Sequence, residues 1–350
     1  MAVAHDFPAA PVRWRDFAPA ALVLAVAYGV VPVLAPGYAI DAILLPFLAL
    51  SLAGVGLNLV TGYCGQLSLG TAAFMAVGAY AAYNFDLRIP GLPFVAAILL
   101  AAGTAAAFGL LFGLPSLRIR GFYLAVSTLA AQFFVQWALT KFGWFSNGSA
   151  SGVISAPRIE VAGFAADTAV GRYLFAVTLV ILLTALAARL VAGPFGANMI
   201  AVRDNETAAR IIGVPVLRTK LFAFALSSAI IGVAGVIWAF AYLRTVEPAG
   251  FDLDRSFQVL FIVIIGGLAS IRGAFLGAAF IVALPLLLSN LAAALFGGAV
   301  DSGTLELVQR ILLGGLIILF LVVEPEGLSA VLERLVARVR RARIHNGETS

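Results

Sequence analysis

Few side chains in this 350-residue chain could perform chemistry, and those are poorly placed for it. His5 and His345, the two histidines, sit in the polar ends, so no HExxH zinc site or His-based catalytic pair can be assembled. Cys64 is the single cysteine, which excludes an intrachain disulfide and leaves a thiolate metal cluster short of ligands. Lys141 and Lys220, the only lysines, follow no GxxxxG pattern, so there is no phosphate-cradling Walker loop, and any ATP must bind another chain. What remains is a set of neutral polar side chains in apolar surroundings: Asn58, Gln66, Ser68, Thr128, Gln132, Ser227 and Ser228. With no histidine or lysine nearby in sequence to activate a hydroxyl, covalent catalysis is a poor fit. Hydrogen bonding suits them, either between helices or to a small solute in a weakly polar conduit.

The elements that must position these residues follow from composition. The chain is 62% hydrophobic and 11% charged, with mean hydropathy +1.06, whereas a soluble domain carries roughly 25% charged residues. Lipid must cover much of the surface. Hydropathy places ten spans near 18–36, 40–60, 69–85, 92–113, 122–140, 172–193, 219–243, 257–270, 274–296 and 305–323. The eighth is short enough for a broken half-span. The first run is long for a signal core and no A-x-A site follows, so it reads as a retained span. With the N-terminus inside, fifteen of the 22 Lys and Arg fall on the inner side and six outside, with Arg310 in the last span. That asymmetry puts both termini in the cytoplasm. The expected architecture is one all-α polytopic membrane helix bundle over 18–323, between an N-terminal segment, 1–17, and a basic tail, 324–350. The tail arginines, Arg334, Arg338, Arg340, Arg341 and Arg343, suit anionic headgroups, and nucleic acid is not needed to explain them. Gly109-x-x-x-Gly113 and Gly273-x-x-x-Gly277 predict close helix packing within the bundle.

Two polar interruptions stand out. Residues 61–70, TGYCGQLSLG, break an apolar run, and irregular backbone at membrane depth must be covered by protein or line a watery cavity; a plain cytoplasmic turn is the alternative. A second Gly-rich break runs from Gly266 to Gly273. The connection 194–218 is too polar to span yet has helical spacing. Asp204 or Asn205 can cap a helix start, Glu206 suits its positive end, and Gly213 before Pro215 stops it. Ala208, Ile211 and Ile212 then share one face, able to enter a partner's groove or to lie on headgroups.

These residues carry a resemblance. Thr207-Ala208-Ala209 with Gly213 resembles the coupling loop of ABC importer permeases, with Thr207 where the family has Glu. GYCGQLSLGTAAFMAVGAY (62–80), GLPSLRIRGFYLAVSTL (113–129), KLFAFALSSAIIGVAG (220–235), GGLASIRGAFLGAA (266–279) and Pro325-Glu326-Gly327 resemble, in order, the M-type permease of high-affinity branched-chain amino acid importers. The resemblance implies a type II ABC importer permease in the bacterial inner membrane, with Arg203, Asp204, Glu206, Ala208, Ala209 and Gly213 in the ATPase-coupling loop. It also implies a second permease subunit, two cytoplasmic ATPases that carry ATP and Mg, and an extracytoplasmic solute-binding protein. Arg158, Arg172, Arg244 and Arg255, beside the small-residue run 146–152, are candidates for docking that protein. No cofactor or metal is expected on this chain, and the chain is not expected to be an enzyme. Ala130-Ala131-Gln132-Phe133 departs from the family's acidic residue after Thr128-Leu129, and Ala197 replaces an Arg that often follows the glycine matching Gly196. The first departure leaves urea or a small aromatic acid open beside branched-chain amino acids.

A different class, the ion-coupled secondary transporter, needs a midplane ionisable site. Asp41 lies at the outer end of the second span, while Glu306 and Arg310 are spaced to pair near the outer end of the tenth, so no central carboxylate remains for a proton.

Overall fold

The structure is a computed structural model that describes residues 23–116, 123–149, 152–161, 164–296, 302–323, 327–332 and 334. The first span is therefore described only in part, and the N-terminal segment and nearly all of the basic tail lie outside the described residues, as do the side chains of Glu306 and Arg310. The elements are α1 (Val23–Leu34), α2 (Gly37–Tyr63), α3 (Thr71–Arg88), α4 (Phe94–Ser116), α5 (Tyr123–Lys141), α6 (Ala169–Val191), α7 (Pro194–Asp204), α8 (Glu206–Ile211), α9 (Val216–Leu243), α10 (Leu253–Gly266), α11 (Ile271–Phe296) and α12 (Ser302–Val323).

Five of these are long and apolar enough to cross a membrane: α2, α4 over Phe94–Leu114, α6, α9, and α11 over Ile271–Leu291. The chain is thus an all-α polytopic bundle. α2 and α9 form its centre, with 83% and 72% of their most apolar stretches buried, against 22% for α6. α3 completes the core because backbones meet there: a side chain at Gly78 would strike the Gly232 backbone, and one at Gly235 the Met75 backbone. Small residues give the close approach that helices in lipid need. Phe74 then packs edge-on against Phe224, ring centres 5.6 Å apart. Both small-residue pairs of the sequence are used within this chain, Gly109 and Gly113 against Ser228 and Phe224 of α9, and Gly273 and Gly277 against the α10 backbone. Leu99, Leu111, Phe133, Trp137, Leu182, Leu287 and Ile311 remain exposed around the periphery. An apolar belt of that extent needs lipid or another protein against it.

The two ends of the bundle differ. At one, Arg172 at the start of α6 is 6% exposed. It donates to both Asp41 carboxylate oxygens, at 3.0 and 3.2 Å, and to the Ala241 carbonyl at 3.1 Å. This joins the ends of α2, α6 and α9. The connection between α5 and α6 lies at this end and is more structured than a run of small residues suggests. β1 (Ile154–Ser155) pairs antiparallel with β4 (Thr245–Val246), and β2 (Glu160–Val161) with β3 (Phe164–Ala165). Tyr80 donates to Gly152 O, and Asn84 and Arg88 donate to the carbonyls of Phe145 and Trp144. At the opposite end α7 and α8 sit beside the C-terminus of α2, and Gly327 packs on Gly267.

Candidate functional site

The bundle interior is organised by a helix whose first turn is buried inside it. α2 ends at Tyr63, Cys64–Gly70 is not helical, and α3 begins at Thr71. α3 runs from Thr71 to Arg88, and its first turn is shut away from water, with Thr71, Ala72 and Ala73 fully buried. The first N–H groups of a helix have no internal partner and need replacements there. Ser256 Oγ accepts from Ala72 N at 2.9 Å, Gln132 Oε1 from Ala73 N at 2.7 Å, and Thr128 Oγ1 from Leu69 N at 2.9 Å. Gln132 also donates to the Phe251 carbonyl at 2.8 Å and accepts from Ser256 Oγ at 3.0 Å. α5 and α10 thereby cap the buried N-terminus of α3.

The two polar interruptions meet at Asn58. Its amide donates to the carbonyls of Ser270, at 2.8 Å, and Gly267, at 3.4 Å, and its Oδ1 accepts from Ala269 N at 2.9 Å. One side chain on α2 so satisfies the break between α10 and α11. Gly62 lies against the Asn58 amide and the Ala269 backbone, where no side chain fits. Ser227 spans the centre, donating to Gly56 O at 2.7 Å.

Of the polar residues singled out in the sequence, Asn58, Thr128, Gln132 and Ser227 are thus engaged in hydrogen bonds between elements. Gln66, Ser68 and Ser228 are not. Both polar atoms of the Gln66 side chain and the hydroxyls of Ser68 and Ser228 are buried without a hydrogen-bond partner, and so is that of Thr71. Gln66, Ser68 and Thr71 lie together along the re-entrant stretch and the first turn of α3, where buried polar groups without partners call for water or a solute. Thr71 and Ser256 escaped sequence reading because each sits at the edge of an apolar run, Thr71 just past the 61–70 interruption and Ser256 just after Asp254-Arg255, where a hydroxyl looks like part of the polar boundary. Cys64, just past the end of α2, is a free and buried thiol.

At the opposite end from the β-strands, α7 and α8 form a bent pair. The bend is Asn205, whose extended backbone lets its Oδ1 accept from Ala208 N at 3.0 Å. Asn205 is therefore the cap, while Asp204 pairs with Arg203 at 2.9 Å. Glu206 does more than face a helix dipole: it bonds Lys220 of α9 at 2.8 Å and Arg210 at 3.4 Å. Gly213 closes α8 at φ +90°, a conformation that a side chain would strain, with Val214 N returning to Ala209 O at 2.9 Å. Ala209 faces the bundle and is 1% exposed. Ala208, Ile211 and Ile212 do face outward, the isoleucines 81% and 74% exposed. The pair is tied to the re-entrant stretch by Arg203, which donates to Gly62 O at 3.2 Å and packs on Gly65.

The four arginines proposed from sequence as a docking surface part company. Arg158 is exposed beside Asp167 at 3.7 Å, and Arg244 is exposed in a left-handed turn next to β4. Arg255 is half-buried, its guanidinium 4.0 Å above the Trp238 ring and hydrogen-bonded to Gln258. Arg172 is buried in the ion pair with Asp41 and is not available to a docking partner. Among the described residues no cluster of His, Cys, Asp and Glu could hold a metal.

Residues 39–321 match the family described as the permease component of branched-chain amino acid transport systems. The high-affinity branched-chain amino acid transport system permease protein LivM of Escherichia coli K12 is 32% identical, the match covering 91% of this chain and 75% of that one. Its counterpart from Salmonella typhimurium LT2 is 31% identical over the same shares. A probable branched-chain amino acid transport permease protein from Methanocaldococcus jannaschii is 26% identical, over 68% of this chain and 78% of its own. No solved structure matches.

Proposed function

This chain belongs to the branched-chain amino acid transport permease family, and from that premise we propose that it forms a membrane path for branched-chain amino acids and couples that path to ATP hydrolysed on partner chains. It is a membrane-embedded permease subunit of an ABC importer, not an enzyme, and it works with ATPase and solute-binding partners. The proposed assembly adds a second permease subunit, two cytoplasmic ATPases holding ATP and Mg, and an extracytoplasmic binding protein, in a bacterial inner membrane. All ten membrane-level helices, α1 to α6 and α9 to α12, cross the bilayer in this reading, with both termini and α8 in the cytoplasm and the β-strands outside.

The observation that carries the coupling is the connected series from α8 inward. Ile211 and Ile212 offer an unpartnered apolar knob to the ATPase groove. Glu206 fixes α8 to α9 through Lys220, and Arg203 fixes α7 to the Gly62 carbonyl. Displacing α8 therefore pulls on the 62–71 stretch that holds Gln66, Ser68 and Thr71, the proposed solute contacts. ATP need only favour one of two positions of that series to change which side is open. The relatives' names support branched-chain amino acids as the solute. The test is uptake of labelled leucine, isoleucine and valine by proteoliposomes holding the whole importer, with urea and benzoate as competitors. ATP-dependent leucine uptake is expected; uptake driven by an ion gradient without ATPase would overturn the class, and urea or benzoate transport the solute.

Topology follows from the charge asymmetry. Reporters fused within 194–218 or after Arg343 should report cytoplasm, and one at Asn147 the exterior. A cytoplasmic signal at Asn147 would overturn the ten-span arrangement.

Docking of the binding protein is assigned to Arg158 and Arg244, the exposed pair. Reversing both should raise the binding-protein concentration for half-maximal uptake several-fold at low salt, with the difference shrinking as screening increases. Unchanged uptake at low salt would remove this surface from the docking role.

A further inference from the structure

A cleft of about 430 Å³ lies between α3, α4 and α5, away from the 62–70 stretch. Val77, Ala81, Phe85, Phe108, Val135 and Ala138 make its walls. The polar groups that reach it are already satisfied: Thr104 donates to Leu100 O at 2.8 Å, Asn84 to Tyr80 O at 2.8 Å, and Tyr80 to Gly152 O at 3.2 Å. A dry apolar cavity is therefore expected. At its deep end α4 and α5 are joined by Ser127, which donates to Phe112 O at 3.0 Å, and by the Phe112 and Phe134 rings, 6.0 Å apart. At its mouth Arg88 donates to Asn84 Oδ1 at 2.9 Å and Trp144 O at 2.7 Å, with its guanidinium 3.7 Å above the Trp144 ring. Both mouth residues are exposed.

We propose that this cleft binds one membrane phospholipid, an acyl chain along the apolar walls and the phosphate at Arg88. The dimensions favour it. Val77 to Arg88 is eleven residues of helix, ~16 Å, against ~15 Å for one leaflet's hydrocarbon. A cation fixed at the interfacial end complements a phosphate, and an adjacent tryptophan belongs at headgroup depth. A partner's apolar helix does not fit the mouth, since it brings no anion to the Arg88 guanidinium, which makes no ion pair among the described residues. A free amino acid does not fit either, because its ammonium would find no unused acceptor in the lining. The choice of outer leaflet rests on the proposed topology; occupancy by a phospholipid does not.

Native mass spectrometry of the intact importer, purified from phosphatidylglycerol-containing membranes, tests this. Wild type should retain one phospholipid per copy of this chain that Ala81→Phe and Ala138→Phe lose, both variants keeping the wild-type melting temperature. Arg88→Gln, at an exposed position, should keep the acyl site yet lower retention of phosphatidylglycerol relative to diacylglycerol by about tenfold. Equal lipid counts in wild type and the folded filled variants would overturn the site. Unchanged headgroup preference in Arg88→Gln would overturn the phosphate contact. A photoreactive residue at position 138 that captures protein instead of lipid would overturn the identity of the occupant.

Discussion

Ala208→Trp should abolish ATP-driven uptake while the chain inserts normally and the ATPase no longer co-purifies. Ala208 is exposed on α8, in line with Ile211 and Ile212, so an indole there disturbs no internal packing and falls on the face offered to the ATPase. Gly213→Val should match it by another route. A valine cannot hold φ +90° without strain, so the chain would leave α8 in a different direction and carry the isoleucines with it. Two controls separate docking from folding. Asn205→Ala removes the cap and should cost about 1 kcal/mol, which docking offsets, so uptake should fall only modestly. Asp204→Ala breaks the exposed pair with Arg203 and should change less, since such pairs contribute about 0–1 kcal/mol. A helix lying on headgroups predicts the reverse, tighter membrane association for Ala208→Trp with the ATPase still bound. Wild-type uptake by Ala208→Trp would eliminate the coupling role without touching family membership.

Asn58→Leu should lose transport through the core. Leucine has the same γ-branched shape and number of side-chain heavy atoms, though it is bulkier, and it leaves the Ala269 N–H and the Ser270 and Gly267 carbonyls without their partner. Each stranded buried group costs about 1–3 kcal/mol, so a destabilisation of several kcal/mol is expected, visible as a lower melting temperature in detergent. Asn58→Asp is the informative companion: it keeps the acceptor for Ala269 N and loses the donor, and should fall between. Since α2 and the break between α10 and α11 are joined at this one residue, both variants should also open Gly62 and Cys64 to water. Modification of Cys64 by a thiol reagent should then be faster than in wild type, where the thiol is buried. Wild-type melting and labelling in Asn58→Leu would show that the two breaks are held together by something other than this side chain.

How much of this the sequence determines depends on the range of the interaction. Helices come from apolar runs, and lipid imposes that pattern locally, so each hydropathy segment overlaps a helix in the described residues. Gly213 and Asn205 are legible for the same reason, since a helix end is satisfied by residues a few positions away. The expectation that the chain carries no catalytic or metal chemistry comes from residue types alone. What the sequence left open is the partner of each polar side chain. Gln132, Asn58, Thr128 and Ser227 reach elements 59 to 212 residues away, and no local pattern separates a residue that bonds a neighbouring helix from one left for a solute. Arg172 shows the same limit: an arginine at a helix start reads as surface until Asp41, 131 residues away, is placed beside it. The sequence therefore determined which groups exist and which local elements carry them. Only the tertiary structure decided that four of the polar candidates hold the bundle together, that Gln66, Ser68 and Thr71 remain buried and unpartnered, and that α3 starts inside the bundle, because in lipid every buried donor must find an acceptor and that acceptor is set by packing.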